Sequence, residues 1–307
     1  MRWKSGRRST NIEDRRGSRS GSIFGRGRSS TGRGRRSLKR GGGLSFGMIA
    51  IIIVLGLITG QNPLQMLGMI MGNGGGGMSM SVPDTVSETQ GVPLERSTND
   101  EEADFVSAVL GDTEDTWNQL FAQAGSSYQA PKLVLYNDLT RTACGLGQAA
   151  SGPFYCPADS KVYLDLGFFN ELKRLGAPGD FAVAYVIAHE IGHHIQNLVG
   201  TSTKVFQQRQ RSSKKDANAL SVLQELQADC YAGIWAHHAQ RNRNILEPGD
   251  LEEGLTAASS VGDDRLQRQA GRAVQPEAFT HGSSKQRMYW FKVGYEYGEV
   301  ARCNTFN

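Results

Sequence analysis

The sequence has few cysteines, and no two of them form a C-x-x-C pair. Only four occur in 307 residues, which argues against a zinc site built from cysteine thiolates. Cys144 and Cys156 bracket a loop with glycine and proline, which a disulfide would tether, and Cys230 would then pair with Cys303. Four cysteines allow three pairings, so spacing alone leaves the connectivity open. Their use as disulfides would agree with a domain outside the cytoplasm.

The first 43 residues have almost no apolar side chains and few acids. They hold 14 of the 34 basic residues of the chain but only two of its 30 acidic residues. Such a segment cannot bury enough apolar surface to offset the entropy of ordering, so we expect 1–43 to be disordered. It could bind anionic lipid headgroups. It has no interleaved aromatic residues and no recognition module, which argues against nucleic acid as its partner.

The main apolar run is shorter than the roughly 20 helical residues that cross a bilayer core. It covers 44–59, sixteen residues without a charge, and uncharged residues continue to 71. We therefore predict a single transmembrane helix at 44–71. A buried helix and a cleaved signal peptide are the alternatives, although no A-x-A-like cleavage site follows. Basic residues before the run predict a single-pass protein of the bacterial inner membrane, with a cytoplasmic N-terminus and a periplasmic or other extracytoplasmic domain.

A glycine-rich linker at 72–98 separates this region from the rest of the chain, and 99–307 is long enough for one globular domain. Apolar spacing predicts its elements. The predicted helices are 100–125, 168–175, 181–199, 216–241 and 284–300, and the predicted strands are 132–136 and 161–166. The expected fold class is therefore α+β, a mostly helical domain with a small sheet, preceded by the transmembrane helix and the disordered basic N-terminus.

The pentapeptide H-E-I-G-H at 189–193 carries the clearest chemistry in the sequence. It lies in the apolar helical stretch 181–199. On a helix, His193 is rotated about 40° and Glu190 about 100° from His189, so both imidazoles can reach one Zn²⁺ with the carboxylate alongside. The pattern predicts a zinc hydrolase in which Glu190 is the general base. The alternative is a pair of solvent-facing histidines.

A zinc ion that keeps one position for water needs a third protein ligand. In the metzincin pattern this ligand is a histidine six residues after His193, where the chain has Val199, which excludes that class. Glu225 and Asp229 lie four residues apart among apolar neighbours, and a buried carboxylate is costly unless it is paired or binds a metal. We predict Glu225 as the third ligand and Asp229 as hydrogen-bond acceptor from a ligand imidazole. The alternative places both on a solvated helix face.

Several separate motifs resemble those of a known family. H-E-x-x-H followed by E-x-x-x-D resembles the gluzincin metallopeptidases, and E-L-Q-A-D-C-Y-A-G-I-W-A-H at 225–237 resembles the neutral zinc metallopeptidases of bacterial membranes. Segments 7–17, 152–165 and 280–287 are similar to that family as well, so the resemblance covers nearly the whole chain. It implies a zincin-like fold, one Zn²⁺ per chain and a membrane-anchored peptidase whose partners are peptide or protein substrates.

The resemblance also implies roles for residues near the C-terminus. Gluzincins commonly place a histidine or tyrosine where the substrate oxyanion develops, which points to His281. Arg287 follows in the same motif and is expected beside the site, with a structural salt bridge as the alternative.

His194 is expected to take part in packing beside the site. His237 and His238 are expected to be ordinary polar helix residues, too far from Glu225 for the same ion.

Peptidases commonly bind an extended substrate as an added strand at a sheet edge. We name 162–165 as the candidate edge, with an internal strand as the alternative. The sequence thus predicts peptide-bond hydrolysis by a zinc-activated water. Two other hypotheses stay open. One is a membrane-tethered binding or scaffold protein whose zinc site is structural or vestigial, and the other makes the basic segment 1–43 the functional part.

Overall fold

The computed structural model describes residues 1–17, 92–93, 100–148 and 152–306, and these belong to one folded unit. The strands are β1 (Ile12–Asp14), β2 (Val92–Pro93), β3 (Lys132–Tyr136), β4 (Leu139–Thr142), β5 (Gly145–Gln148), β6 (Phe154–Cys156) and β7 (Lys161–Asp165). The α-helices are α1 (Glu101–Gln123), α2 (Phe168–Arg174), α3 (Asp180–Leu198), α4 (Thr201–Arg209), α5 (Lys214–Arg243), α6 (Asp250–Ser260), α7 (Asp263–Gln269) and α8 (Ser284–Tyr297). Short 3-10 helices lie at Pro276–Ala278 and Val300–Cys303.

Five strands form one sheet in the order β2-β1-β3-β7-β6, and β4 pairs with β5 in a separate hairpin. The three inner strands β1, β3 and β7 are parallel, and the two outer strands run antiparallel to their neighbours. The central strand β3 is covered on both faces, so its sequence is apolar without alternation. Leu133, Val134 and Leu135 of β3 are accordingly all fully buried.

The strand that we named as the substrate-binding edge lies inside the sheet. Val162 of β7 pairs with Leu133 on one side and with Tyr155 of β6 on the other. The backbone hydrogen-bonding groups of β7 are therefore shared between two neighbours, and the prediction of 162–165 as an edge is wrong. The edges of this sheet, within the described ranges, are β2 and β6.

The first 17 residues are ordered, which corrects the prediction that the N-terminus is disordered there. β1 lies between β2 and β3, where Ile12 pairs with Leu133. The preceding arginines bind carboxylates of α1. Arg8 donates from both Nε and Nη2 to Asp104 at 2.6 Å, and Arg7 donates to Glu114 at 2.8 Å. The composition led to the wrong prediction because charge-assisted hydrogen bonds from these arginines, and not apolar burial alone, order the segment. The remaining residues of the predicted segment, 18–43, lie outside the described residues.

The predicted fold class also included a transmembrane helix, and this is corrected too. None of the helices in the described ranges is both long and apolar enough to cross a membrane. The predicted span at 44–71 lies outside the described residues, as does the linker at 72–98 apart from β2. Because β1 is paired with β3, the N-terminal residues and the domain share one folded unit.

Helices lie at all five predicted places, with ends that differ by a few residues. The third, α3, is buried over most of its length, as expected for a helix that is apolar on nearly every face. α5 begins at Lys214, because the Ser213 hydroxyl accepts a hydrogen bond from the backbone N–H of Asp216 at 3.2 Å and caps the first turn. Helices α4, α6 and α7 were not predicted.

Both predicted cysteine pairs are bonded in the structure. The Cys144–Cys156 disulfide joins the β4–β5 hairpin to β6. The Cys230–Cys303 disulfide joins α5 to the 3-10 helix near the end of the chain. No free cysteine occurs in the described part of the chain.

Candidate metal centre

Two helices bring the three predicted metal ligands to one point. α3 carries both histidines and α5 carries the glutamate, and one ligand atom from each residue lies within 4.8 Å of the others. Glu225 Oε2 is 3.2 Å from His189 Nε2, and Glu225 Oε1 is 3.4 Å from His193 Nε2. Both imidazoles thus present Nε2 to the same carboxylate. Two neutral nitrogens and one carboxylate oxygen match the donor set of a catalytic zinc site.

A glycine lets these two helices approach each other. A side-chain carbon at Gly192 would lie 2.9 Å from the carbonyl oxygen of Ala228 and 3.0 Å from its Cα. The helices therefore cross between the two histidines, with a small residue on each side. Glu225 precedes Ala228 by three residues and so faces the same way on α5. This contact explains how a carboxylate 32 positions after His193 reaches the imidazoles.

A buried ion pair fixes the outer nitrogen of His189. Asp229 Oδ1 lies 2.8 Å from His189 Nδ1, and Arg287 donates from Nε to Asp229 Oδ2 at 2.8 Å and from Nη2 to Oδ1 at 2.9 Å. The Tyr185 hydroxyl also donates to Oδ1. Burial acts to raise the pKa of Asp229, but the opposing effect of Arg287 and His189 is larger and lowers this pKa to about 2. An ionised carboxylate only accepts, so Nδ1 carries the proton and Nε2 faces the cluster.

The charges of the cluster favour a cation at its centre. Burial lowers the pKa of His189, but Asp229 and Glu225 raise it more, to about 9. Burial likewise raises the pKa of Glu225, and the histidines around it lower it well below its usual value. A proton or a metal ion at Nε2 can supply the positive charge that these carboxylates stabilise.

Glu190 is placed beside the ligands and has no hydrogen-bond partner among the residues that the structure describes. Its side chain is largely buried, at 7% exposure. Burial raises its pKa, while the positive charges of His193, His189 and Arg287 oppose that rise. A carboxylate that is unpaired and less acidic than usual is suited to take up a proton and release it again.

His281 lies on the loop before α8, and its charge acts on Glu225. Its Nδ1 is 3.2 Å from Asp263 Oδ1, and its side chain is 51% exposed. Asp263 Oδ2 also accepts the backbone N–H groups of Thr280, His281 and Gly282 at 2.7, 2.7 and 3.0 Å, which fixes the loop. His281 and Glu225 shift each other's pKa. The structure thus places His281 near the ligands but not among them.

Three other predicted residues lie beside or away from the cluster. Arg287 is 4% exposed and forms the salt bridge that was its alternative role. His237 Nδ1 donates to the Tyr295 carbonyl at 2.7 Å, and His238 Nε2 to the Gly298 carbonyl at 3.0 Å. Both histidines join α5 to α8 and its end, as expected for polar helix residues.

His194 connects the ligand helix to the edge of the sheet. Its Nε2 donates to the Gln129 carbonyl at 2.6 Å, so its Nδ1 accepts from the Tyr155 hydroxyl at 3.0 Å. Asn197 Nδ2 donates to the same hydroxyl at 3.0 Å. Tyr155 belongs to β6, so two residues of α3 hold the edge strand at a fixed distance from the cluster.

Sequence reasoning missed three side chains that support the ligands, Tyr185, Gln196 and Gln227. Tyr185 contacts Asp229, as described above. Gln196 contacts Nδ1 of His193, and Gln227 contacts Gln196. The sequence spacing could have indicated two of these residues. Tyr185 precedes His189 by four residues and Gln196 follows His193 by three, so each shares a helix face with its ligand.

A helix with H-E-x-x-H that faces a glutamate on a second helix has the His-His-Glu donor set of zinc hydrolases. The fold and the cluster together define the class as zinc metallopeptidase-like. The chain belongs to the family described as "Putative neutral zinc metallopeptidase", whose model matches residues 1–306. The resemblance seen in the sequence is therefore confirmed.

Relatives from two bacterial groups share much of the sequence. "Uncharacterized protein YpfJ" of Escherichia coli (strain K12) is 47% identical over 307 residues, which cover 100% of this chain and 99% of the relative. "Uncharacterized protein Mb2605" of Mycobacterium bovis is 43% identical over 191 residues, 59% of this chain and 64% of the relative. Their names give no activity. No solved structure matches the chain.

Proposed function

We propose that the protein is a zinc-dependent peptidase that hydrolyses peptide bonds. The observation that carries this proposal is the convergence of His189 Nε2, His193 Nε2 and a Glu225 carboxylate oxygen within 4.8 Å, beside the unpaired carboxylate of Glu190. A site that only stabilised the fold would bind its metal with four protein ligands. Within the described residues the cluster offers three, which leaves a position for water.

The ligands and their neighbours divide the work of hydrolysis. His189, His193 and Glu225 would hold a zinc ion, which would supply the Lewis acidity that polarises the scissile carbonyl and lowers the pKa of water. Glu190 takes a proton from the attacking water and later delivers it to the leaving amine, so one residue is first base and then acid. His281 is half-exposed and donates to the oxygen of the scissile carbonyl as negative charge develops there.

The substrate binds as an extended strand along β6. This strand is an edge of the five-stranded sheet, so a peptide can pair with its outer backbone groups. Tyr155 of β6 is held by His194 and Asn197 at 3.0 Å each. Because both of these residues follow the ligands on α3, the strand is positioned relative to the ligand cluster.

We expect Tyr155→Phe to raise KM for peptides about five- to tenfold with little change in kcat. The substitution removes two hydrogen bonds to α3, each worth roughly 0.5–1.5 kcal/mol, and loosens the edge strand without touching the ligands. Tyr128→Phe is the matched control, because Tyr128 packs beside His194 and its hydroxyl is buried without a hydrogen-bond partner. Steady-state kinetics on a fluorescent peptide test this. Equal KM values for both variants would count against β6 as the binding edge.

Metal removal tests the proposed function itself. The purified protein is expected to contain one zinc ion per chain by mass spectrometry and to cleave members of a fluorescent peptide library. Dialysis against a chelator should abolish cleavage, and added zinc should restore it. Glu225→Gln should lose zinc. Glu253→Gln should keep it, because Glu253 belongs to a separate acidic cluster with Asp180 and Asp250 and accepts the backbone N–H of Phe181 at 3.1 Å.

The alternative hypothesis is a binding or scaffold protein with a structural or vestigial zinc site. Full zinc occupancy without cleavage of any peptide would favour it and would contradict the proposed function. The extracytoplasmic location of the domain stays a prediction, which the two disulfides support. Binding of 1–43 to anionic lipid also stays a prediction.

A further inference from the structure

A chain of buried amides leads away from the second histidine. His193 Nδ1 is 3.0 Å from Gln196 Oε1. Gln196 Nε2 donates to the Gln224 carbonyl at 2.7 Å and to Gln227 Oε1 at 3.1 Å, and Gln227 Nε2 donates to the Cys303 carbonyl at 2.9 Å. The exposure of Gln196 is 0% and that of Gln227 is 7%. These contacts join the ligand to the end of the folded chain.

The direction of this chain is set at its far end. A backbone carbonyl can only accept, so the amide nitrogen of Gln227 must face Cys303 and its oxygen must face Gln196. The Gln224 carbonyl fixes the amide of Gln196 in the same way. The oxygen of Gln196 therefore points at His193, and Nδ1 must donate to it. The proton on Nδ1 leaves Nε2 of His193 as the unprotonated nitrogen that faces Glu225.

We propose that Gln196 and Gln227 are positioning residues that fix the tautomer and ring orientation of His193. This inference rests on the proposed zinc site. The two histidines are then held differently, His189 by a buried ion pair and His193 by neutral amides. The acceptor at the end of the amide chain is itself fixed, because the Cys230–Cys303 disulfide joins Cys303 to α5 three residues after Gln227.

Two substitutions at one position separate positioning from packing. Gln196→Met keeps the side-chain volume and removes the acceptor for Nδ1, so zinc affinity should fall about 10- to 100-fold. Gln196→Glu keeps an acceptor, and its negative charge makes the imidazole more basic, so zinc affinity should stay within a few-fold of the wild type. The same glutamate faces two acceptor oxygens, so it should lower the unfolding midpoint of the zinc-free protein more than methionine does.

Competition with a chromogenic chelator measures zinc affinity, and urea unfolding measures stability. A positioning role predicts that the two variants rank in opposite order in the two measurements. Gln196→Glu should bind zinc more tightly than Gln196→Met, and Gln196→Met should be more stable than Gln196→Glu. A packing role predicts that affinity and stability fall together, which would overturn the inference. Gln224→Met is the matched control, because only the backbone carbonyl of Gln224 belongs to the amide chain, and its zinc affinity should be unchanged.

An NMR signal provides a second readout. In zinc-loaded wild-type protein the Nδ1 proton of His193 should be protected from exchange, and Gln196→Met should lose that signal. Should Gln196→Met fail to fold, Gln227→Met tests the same chain from its far end, with a smaller, several-fold loss of zinc affinity. Wild-type protein without zinc would contradict the proposed function, whereas normal zinc binding by both methionine variants would contradict only the positioning roles.

Discussion

Glu190→Gln is expected to lower the rate of peptide hydrolysis by about 10²- to 10⁴-fold, the range for loss of a general acid–base group, while zinc stays bound. The amide has nearly the same shape as the carboxylate but cannot take a proton from water. The ligand atoms of His189, His193 and Glu225 do not involve Glu190, so the metal site should persist. Zinc content and kcat/KM, measured on the same preparation, test both parts of this expectation.

The comparison needs a glutamate that is equally buried but distant from the ligands. Glu114 is 4% exposed, accepts from Arg7 at 2.8 Å and from the Ser9 hydroxyl at 2.6 Å, and binds the N-terminal segment to α1. Glu114→Gln should lower stability and leave kcat/KM of the folded protein unchanged. A Glu190→Gln enzyme with wild-type activity would exclude Glu190 as the base and would leave the mechanism without a proton acceptor.

The ligand cluster was predictable because its chemistry is local along two helices. His189 and His193 are one turn apart, and Glu225 and Asp229 are one turn apart, so helical periodicity alone places each pair on one face. The cost of burying carboxylates among apolar residues was the reason to place the second pair at the same site as the first. The structure places the four side chains together, with Asp229 2.8 Å from His189, and that distance depends on the small residues at the helix crossing.

Strand order and the place of the N-terminal segment were not predictable in the same way. The sequence of β7 is apolar whether it lies at an edge or inside the sheet, and only its pairing with both β3 and β6 decides. β1 is a three-residue strand, Ile12–Asp14, in a basic segment. Its partners begin 80 residues later at β2 and 120 later at β3. Such long-range pairing leaves no periodic signal in the sequence.

Arg287→Met is expected to destabilise the zinc-free protein by about 3–5 kcal/mol, the cost of removing one partner of a buried ion pair. Asp229 is 0% exposed and receives two hydrogen bonds from Arg287, at 2.8 and 2.9 Å. Without the guanidinium its charge stays buried, and its remaining partners within the described residues are His189 and Tyr185. Urea unfolding followed by circular dichroism measures the change.

A second substitution shows whether the loss comes from the uncompensated charge. Asp229→Asn in the Arg287→Met background removes that charge and should recover most of the stability, although it should not restore zinc affinity, because the amide is a weaker acceptor for His189 Nδ1. Arg268→Met is the surface control. Arg268 is 58% exposed and pairs with Asp264 at 2.5 Å, so its loss should cost less than about 1 kcal/mol. If the double variant is no more stable than Arg287→Met, the arginine contributes through packing and not by compensating the charge of Asp229.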